Sequence, residues 1–404
     1  VTTEAKATIS SPAASAPFGR TVFVMTVTGL LVVGQMYLVL PLLPAMARDW
    51  HTSAAAVTWT TTSFGFAYAG GFLLTGPLSD LLGRRRVVVT GLTVLAIATA
   101  VAALSPSLPV AIACRVAQGL GAAGFSPAAL AYLGERIPPA RRSVALTCLV
   151  TAMVAATVTG QLVAQAMVPI GGWRGVFVIN ACGVAVLAAA LRMVMLPGNA
   201  TSARGSLGAF FGAMGRLATQ PVLLLIYLGA LTVLGGFVAV YTSLQLLGPA
   251  ELIGRPDAML GLRASSLPAL VAIPFLTPIL NQVRPTLRAG LAMLAAAAAV
   301  AGLAFNGHSS LVTIGALMFV FVLAIAAVSP GLTELVGSLS GPARGAGVAL
   351  YTFSLLAGAS SGPQLVAALG GKGFATVLLT ICGVLLIGVV LLLAADRQLQ
   401  RKTP

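Results

Sequence analysis

Acid is what this chain has least of. Eight aspartates and glutamates stand among 404 residues, and all charged types together make 8% of the composition, about a third of the share in a soluble domain. With 58% of the residues hydrophobic, that scarcity excludes an ordinary water-soluble fold, because too little polar surface remains to cover it. The four cysteines, Cys114, Cys148, Cys182 and Cys382, fall inside apolar runs with no metal or redox spacing and read as small packing residues. There is no phosphate loop, no cluster of metal ligands and no nucleophile beside a base, so no enzyme, no metal and no cofactor is expected. The acids themselves (Glu4, Asp49, Asp80, Glu135, Glu251, Asp257, Glu334 and Asp396) all avoid the middles of the apolar runs.

What the chain does have is apolar length. A helix needs about 20 apolar residues to cross a bilayer, and twelve such spans are predicted, at roughly 21–45, 56–78, 88–105, 109–134, 144–168, 175–196, 221–246, 261–283, 289–306, 311–335, 347–369 and 373–395. The net charge of +15 then belongs to membrane topology, and no nucleic-acid partner is expected. One set of connections, with both tails, holds Arg84, Arg85, Arg86, Arg136, Arg141, Arg142, Arg192, Arg284 and Arg344 among others; the alternate set holds Arg48, Arg174, Arg255, Arg263 and Lys372. By the positive-inside rule the arginine-rich end is cytoplasmic, as are both termini of a multi-pass protein of the inner (plasma) membrane. The expected organisation is a flexible tail (1–20) without the apolar core of a signal peptide, a six-helix bundle (21–196), a central loop (197–220), a second bundle (221–395) and a short tail (396–404). Within the central loop, SLGAFFGAMGRLA has the pattern of a helix lying on the membrane surface. The halves also repeat: Ser126-Pro127, Pro139-Ala140-Arg141 and Gln161-Leu162-Val163-Ala164 recur at one constant offset as Ser329-Pro330, Pro342-Ala343-Arg344 and Gln364-Leu365-Val366-Ala367. A parallel repeat of this kind places a site between the halves, near the bilayer midplane.

GPLSDLLGRR, after the second span, resembles the signature G-x-L-a-D-r-x-G-r-r of the major facilitator superfamily. Gly76, Leu78, Asp80, Gly83, Arg84 and Arg85 match, and Leu81 replaces an arginine. RVAQGLGAA, from Arg115, is similar to the fourth-span motif R-x-x-Q-G-x-G-A-A of that superfamily's drug–proton antiporters, and VGQMYLVLPLLP is similar to their first-span pattern. The resemblance implies an all-α membrane fold of twelve helices in two pseudo-symmetric bundles, a monomer, alternating access, and proton-coupled efflux of drugs or natural products. Two features depart from the antiporters: the first span carries no acid, and the fifth reads TVTGQLVAQ where they carry a Gly-Pro-rich motif.

Physical chemistry assigns roles to particular residues. Gly76 and Gly83 let helix ends approach, and Asp80, Arg84 and Arg85 with Glu135 as partner form a gating latch on the cytoplasmic face. TPILNQVRPTLR, the equivalent stretch of the second half, has no acid, so the latch is expected on one side only. Arg115 is basic well inside an apolar run, a costly position that marks a cavity or a partner. Alternatively, it is a structural arginine bonded to backbone carbonyls. Gln35, Tyr37, Tyr68, Arg115, Gln118, Gln161, Phe237, Tyr241, Gln245 and Phe353 are the candidate substrate-binding residues. Arg115, Glu135, Asp49, His51 and Glu334 are the candidates for coupling to protons. Trp173, Arg174, Phe177 and Asn180 read as an anchor at the outer interface. The predicted partners are a small, fairly apolar organic substrate, protons and the lipid bilayer. Two other readings stand beside export: a facilitator or exchanger for an organic anion held by Arg115, and a non-transporting membrane receptor.

Overall fold

The computed structural model describes residues 16–197, 207–249, 252, 255–269, 272–273, 276, 282–306 and 310–402. Helix is the regular structure throughout these residues. In lipid this is what the backbone demands, since every N–H and C=O must be satisfied within the segment.

In the first half, α1 (Phe18–Tyr37) runs into a short 3-10 turn and α2 (Leu43–Asp49), and the one-turn α3 (Ala54–Val57) leads into α4 (Trp59–Leu82). Pro41 and Pro44 account for the break after Tyr37. Next come α5 (Arg84–Ala103), α6 (Leu108–Ala123) and α7 (Ser126–Arg136), then α8 (Pro139–Val194). The predicted fourth span is thus two helices, broken at Gly124–Phe125 ahead of Ser126-Pro127. The fifth and sixth spans are one 56-residue run that leaves helical geometry at Gly171 and Gly172. The chain reverses there. Arg174 meets Asp49 at the arginine-poor end, while the carbonyl of Arg192, near the end of the run, accepts from Arg85 at the arginine-rich end.

The linker helix α9 (Leu207–Ala218) precedes the second half: α10 (Pro221–Leu247), α11 (Pro256–Ala264), α12 (Pro285–Phe305), α13 (Leu311–Leu339), α14 (Arg344–Leu369) and α15 (Phe374–Lys402). Ala213, Met214 and Leu217 of α9 are buried, so its apolar face packs on protein, against α10 and α14. Most of the predicted eighth span beyond residue 269 lies outside the described residues, as does the tail before residue 16. The rest of that tail is docked: the N–H of Ala16 donates to Arg136 O at 3.1 Å and α1 begins at Phe18.

Eight stretches of the described residues are long and apolar enough to cross a membrane, the fused α8 counting as one. Within the first half α1 packs on α8, α4 on α6, and α5 on both α6 and α8. In the second, α10 packs on α14 and α15, and α12 on α13 and α15. Between the halves, α4 lies along α14 and α8 meets α11.

The reversal in α8 gives a direct prediction. Gly172 has φ 60° and ψ −162°, a region open essentially to glycine alone. Gly172→Ala should cost about 1–3 kcal/mol, read as a lower thermal unfolding midpoint in detergent. An unchanged midpoint would mean that the turn relaxes without strain.

Candidate functional site

The seam between the halves is polar at the arginine-poor end. Thr62 Oγ1 donates to Ser360 O at 2.7 Å, and Gln364 Nε2 donates to Thr58 Oγ1 at 3.1 Å and Thr62 Oγ1 at 3.0 Å. These bonds stitch the start of α4 to the last turns of α14. Close approach of the two helices relies on Gly65, where an added Cβ would sit 2.0 Å from Ser360 Oγ. Beside this stitch the Tyr37 ring meets Phe237 edge-on at 6.3 Å, joining α1 to α10.

Arg263 closes the seam on the other side. Sequence places it among the arginines of the connections; the structure places it inside the protein, 1% exposed. Helix α11 starts at Pro256, ahead of the predicted span, and carries Arg263 inward on its last turn. Its Nε donates to Gln161 Oε1 at 3.2 Å, one Nη to Gln245 Oε1 at 2.6 Å and the other to Gln165 Oε1. Two of these glutamines belong to the first half and one to the second. Gln161 and Gln245 stand among the candidate substrate-binding residues, and as amides within apolar spans each must find a partner. The arginine that gathers them gave no signal of its own, because the start of a span and the end of a loop look alike in sequence.

Arg115 lies inside the first half, also 1% exposed. Its Nε donates to Thr60 O at 2.9 Å, its Nη1 to Gln118 Oε1 at 2.8 Å and its Nη2 to Gln35 O at 2.9 Å. The guanidinium also lies 4.2 Å from the centre of the Phe64 ring. Arg115 therefore brackets α1, α4 and α6. Around it are buried polar atoms with no hydrogen-bond partner among the described residues: both amide atoms of Gln35, and Nε2 of Gln118. Such atoms are uncommon in folded proteins and mark strain or function.

The remaining candidates divide by place. Tyr68 is buried and shares a 2.7 Å hydrogen bond with Ser126 Oγ. Tyr241 approaches Ser266 Oγ at 3.3 Å, and its ring centre lies 5.0 Å from that of Phe237. Phe353, on α14, is partly buried against the core. Asp49 pairs with Arg174 and accepts from Trp173 Nε1 at 3.1 Å. With the Trp50–Trp173 ring contact this makes a clamp within the first half. His51, beside it, is exposed. Glu334 is exposed at the opposite end, within electrostatic reach of Arg288.

At the arginine-rich end Arg84 pairs with Asp80 and, at 2.8 Å, with Glu135, and its Nη1 donates to Ser79 Oγ at 2.5 Å. Gly83 forms the turn that brings Arg84 back to them, with φ 91°; Gly76, expected to let helix ends approach, does not serve that purpose, because a Cβ there would meet open space. Arg85 donates to Arg192 O, and both line a 510 Å³ cleft with Arg86. All these residues lie in one half. The expectation of a polar knot in the first half alone is corrected. In the second half Thr286 Oγ1 donates to Asp396 Oδ1 at 2.5 Å and Arg284 lies 3.5 Å from Asp396 Oδ2. The acid missing from the local stretch is supplied by α15, more than a hundred residues on.

Comparison with known proteins places this geometry in a wider group. The family model described as Major Facilitator Superfamily matches residues 25–363. A tetracenomycin C resistance and export protein of Streptomyces glaucescens is 34% identical over 149 residues, 37% of this chain and 28% of that protein. A cephamycin export protein of Amycolatopsis lactamdurans is 32% identical over 38% of this chain and 32% of its own length. A methylenomycin A resistance protein of Bacillus subtilis is 30% identical over 42% and 37% respectively. The matched stretch is thus well under half of each relative. Among solved structures, a bacterial homolog of the human lysosomal transporter Spinster superposes with a TM-score of 0.73 over 93% of this chain and 96% of that one, at 16% identity, a likeness of fold.

Proposed function

The chain belongs to the major facilitator superfamily, and from that premise we propose that it exports small, fairly apolar organic compounds by alternating access, driven by proton antiport. One observation carries the reading. The hydrogen bonds that stitch the halves together run through Thr62, Gln364 and Arg263 at the arginine-poor end, while the ion pairs of the arginine-rich end, Arg84 with Glu135 and Arg284 with Asp396, stay within one half each. A transporter that rocks needs such an asymmetry, reversed in its other state. With the arginine-rich end cytoplasmic, this conformation is sealed to the outside.

The relatives supply the substrate class: one is a resistance and export protein for tetracenomycin C, one an export protein for cephamycin and one a resistance protein for methylenomycin A. Gln35 and Gln118, with buried amide atoms left unpartnered, are the polar contacts proposed for substrate, beside Tyr37, Tyr68, Phe237 and Phe353. The exchanging proton is assigned to Glu135, at the end of α7, with Asp49, His51 and Glu334 as the other candidates. In the gate, Arg84 holds the ends of α4, α5 and α7 together through Asp80 and Glu135, and Arg85 ties α5 to α8 through Arg192 O, so that this end moves as one rigid unit.

The test is accumulation of the neutral dye Nile red in cells lacking their own efflux pumps. Expression should lower it several-fold, and nigericin with valinomycin, which together collapse the pH gradient and the membrane potential, should restore it. Equal accumulation with and without the protein sinks the exporter. Lowered accumulation that ignores the two ionophores sinks proton antiport, and loss of ionophore-sensitive efflux in a folded Glu135→Gln assigns the proton.

A further inference from the structure

Arg263 keeps a buried positive charge at the seam, and among the described residues its polar partners are three neutral amides; the ion pairs there form between other groups. A guanidinium out of water is satisfied far better by an anion than by amide oxygens. The contrast with Arg115 is instructive. Two of that residue's acceptors are main-chain carbonyls, of Thr60 and Gln35, which cannot swing aside. All three acceptors of Arg263 are side chains, and Gln161 and Gln165 leave with the first half whenever the seam parts. Gln245 stays with it, and Gln245, Tyr241 and Phe237 follow one another at four-residue spacing on one face of α10. Phe237 in turn lies 6.2 Å from Phe321, their planes 12° apart. The guanidinium thus stands at the end of a column of aromatic rings.

We propose that Arg263 binds the anionic group of an aromatic organic acid whose ring lies along Tyr241 and Phe237. The inference depends on the exporter reading for the direction of movement alone. An anion at Arg263 competes with Gln161 and Gln165 for the same N–H groups. Occupancy therefore weakens the clasp that seals the arginine-poor end. A ligand shifts a conformational equilibrium only through its differential affinity for the two states, and this competition supplies that difference. The cargo itself then favours the opening through which it leaves.

The probes are 2-naphthoate and 2-naphthamide, nearly identical in shape and different in charge, titrated calorimetrically into the full chain in nanodiscs. Naphthoate should bind about tenfold more tightly or better, as expected for a hydrogen-bonded charge. Arg263→Gln should abolish the preference and Arg263→Lys should keep part of it. Equal affinities in the wild type, no binding of either probe, or a preference that survives Arg263→Gln overturns the assignment. If Arg263→Gln does not fold, the double variant Gln161→Leu, Gln165→Leu decides. It leaves the guanidinium in place and removes its competitors, so naphthoate should bind more tightly; unchanged or weaker binding overturns the proposal. Nile red efflux is read separately. Arg263-dependent preference without efflux would end the exporter reading and leave this site standing, and efflux without preference would do the reverse.

Discussion

Gly65→Val should hold the protein open at its arginine-poor end and abolish transport. A Cβ at residue 65 would lie 2.0 Å from Ser360 Oγ, 2.8 Å from Met36 Cε and 3.0 Å from Ser360 Cβ. The Ser360 hydroxyl cannot simply turn away, since it donates to Leu356 O at 2.6 Å on its own helix. The helices must therefore separate, and the bonds from Thr62 to Ser360 and from Gln364 to Thr58 and Thr62 go with them. Overpacking costs about 1–3 kcal/mol. On the rocking mechanism proposed above, the Ser360 contact joins two halves that move apart, so its cost falls on the sealed state alone, while the Met36 contact, within the first half, weighs on both states. The equilibrium should shift by roughly tenfold or more. Spin labels on His51→Cys and Lys372→Cys, both exposed at this end, in a background freed of the four native thiols, would report it as a move toward longer distances. A distribution identical to that without the valine would mean that the α4–α14 contact does not govern the seal.

Arg115→Ala should cost the fold as much as it costs transport. The substitution takes the Arg115 donor from three buried acceptors at once, Thr60 O, Gln118 Oε1 and Gln35 O; Thr60 O keeps Ser63 Oγ at 3.4 Å, and a buried acceptor left unsatisfied costs about 1–3 kcal/mol. It also leaves a hole beneath the Phe64 ring. The thermal unfolding midpoint should fall by about 5 °C, and Nile red efflux should fall to background. Arg115→Lys keeps the charge and one or two of the three bonds, and should recover part of the midpoint. If Arg115→Ala abolished efflux at an unchanged midpoint, the bracketing role would be wrong and a direct contact with substrate would replace it. The three-helix bracket also bears on the anion reading of Arg115, since its acceptors do not leave when the halves part, as those of Arg263 do.

Much of the architecture was legible along the chain. Hydropathy located most of the spans because lipid imposes one requirement on every residue that faces it, and the arginine count separated the two ends for the same kind of reason. GPLSDLLGRR and RVAQGLGAA pointed to polar groups that must be satisfied: Arg84 meets its expected partner Glu135, and Arg115 meets Gln118 within its own motif. Legibility failed at one helix break. The reversal at Gly171 and Gly172 falls between the predicted fifth and sixth spans, but the fourth span breaks where small residues leave no trace in hydropathy. It failed again for Asp396, which reads as a tail residue and turns out to serve Thr286 and Arg284.

Composition and periodicity thus determined the class of solvent, the helical backbone, the two ends and the repeat of halves, since each of these depends on a residue and its near neighbours in sequence. The seam was decided by tertiary structure alone. Which way Arg263 turns, which glutamines meet it, and why Gly65 must be bare all depend on the rotation of whole helices and on the tilt of one half against the other. Those are set by packing summed over both bundles, and a single helix carries no record of them.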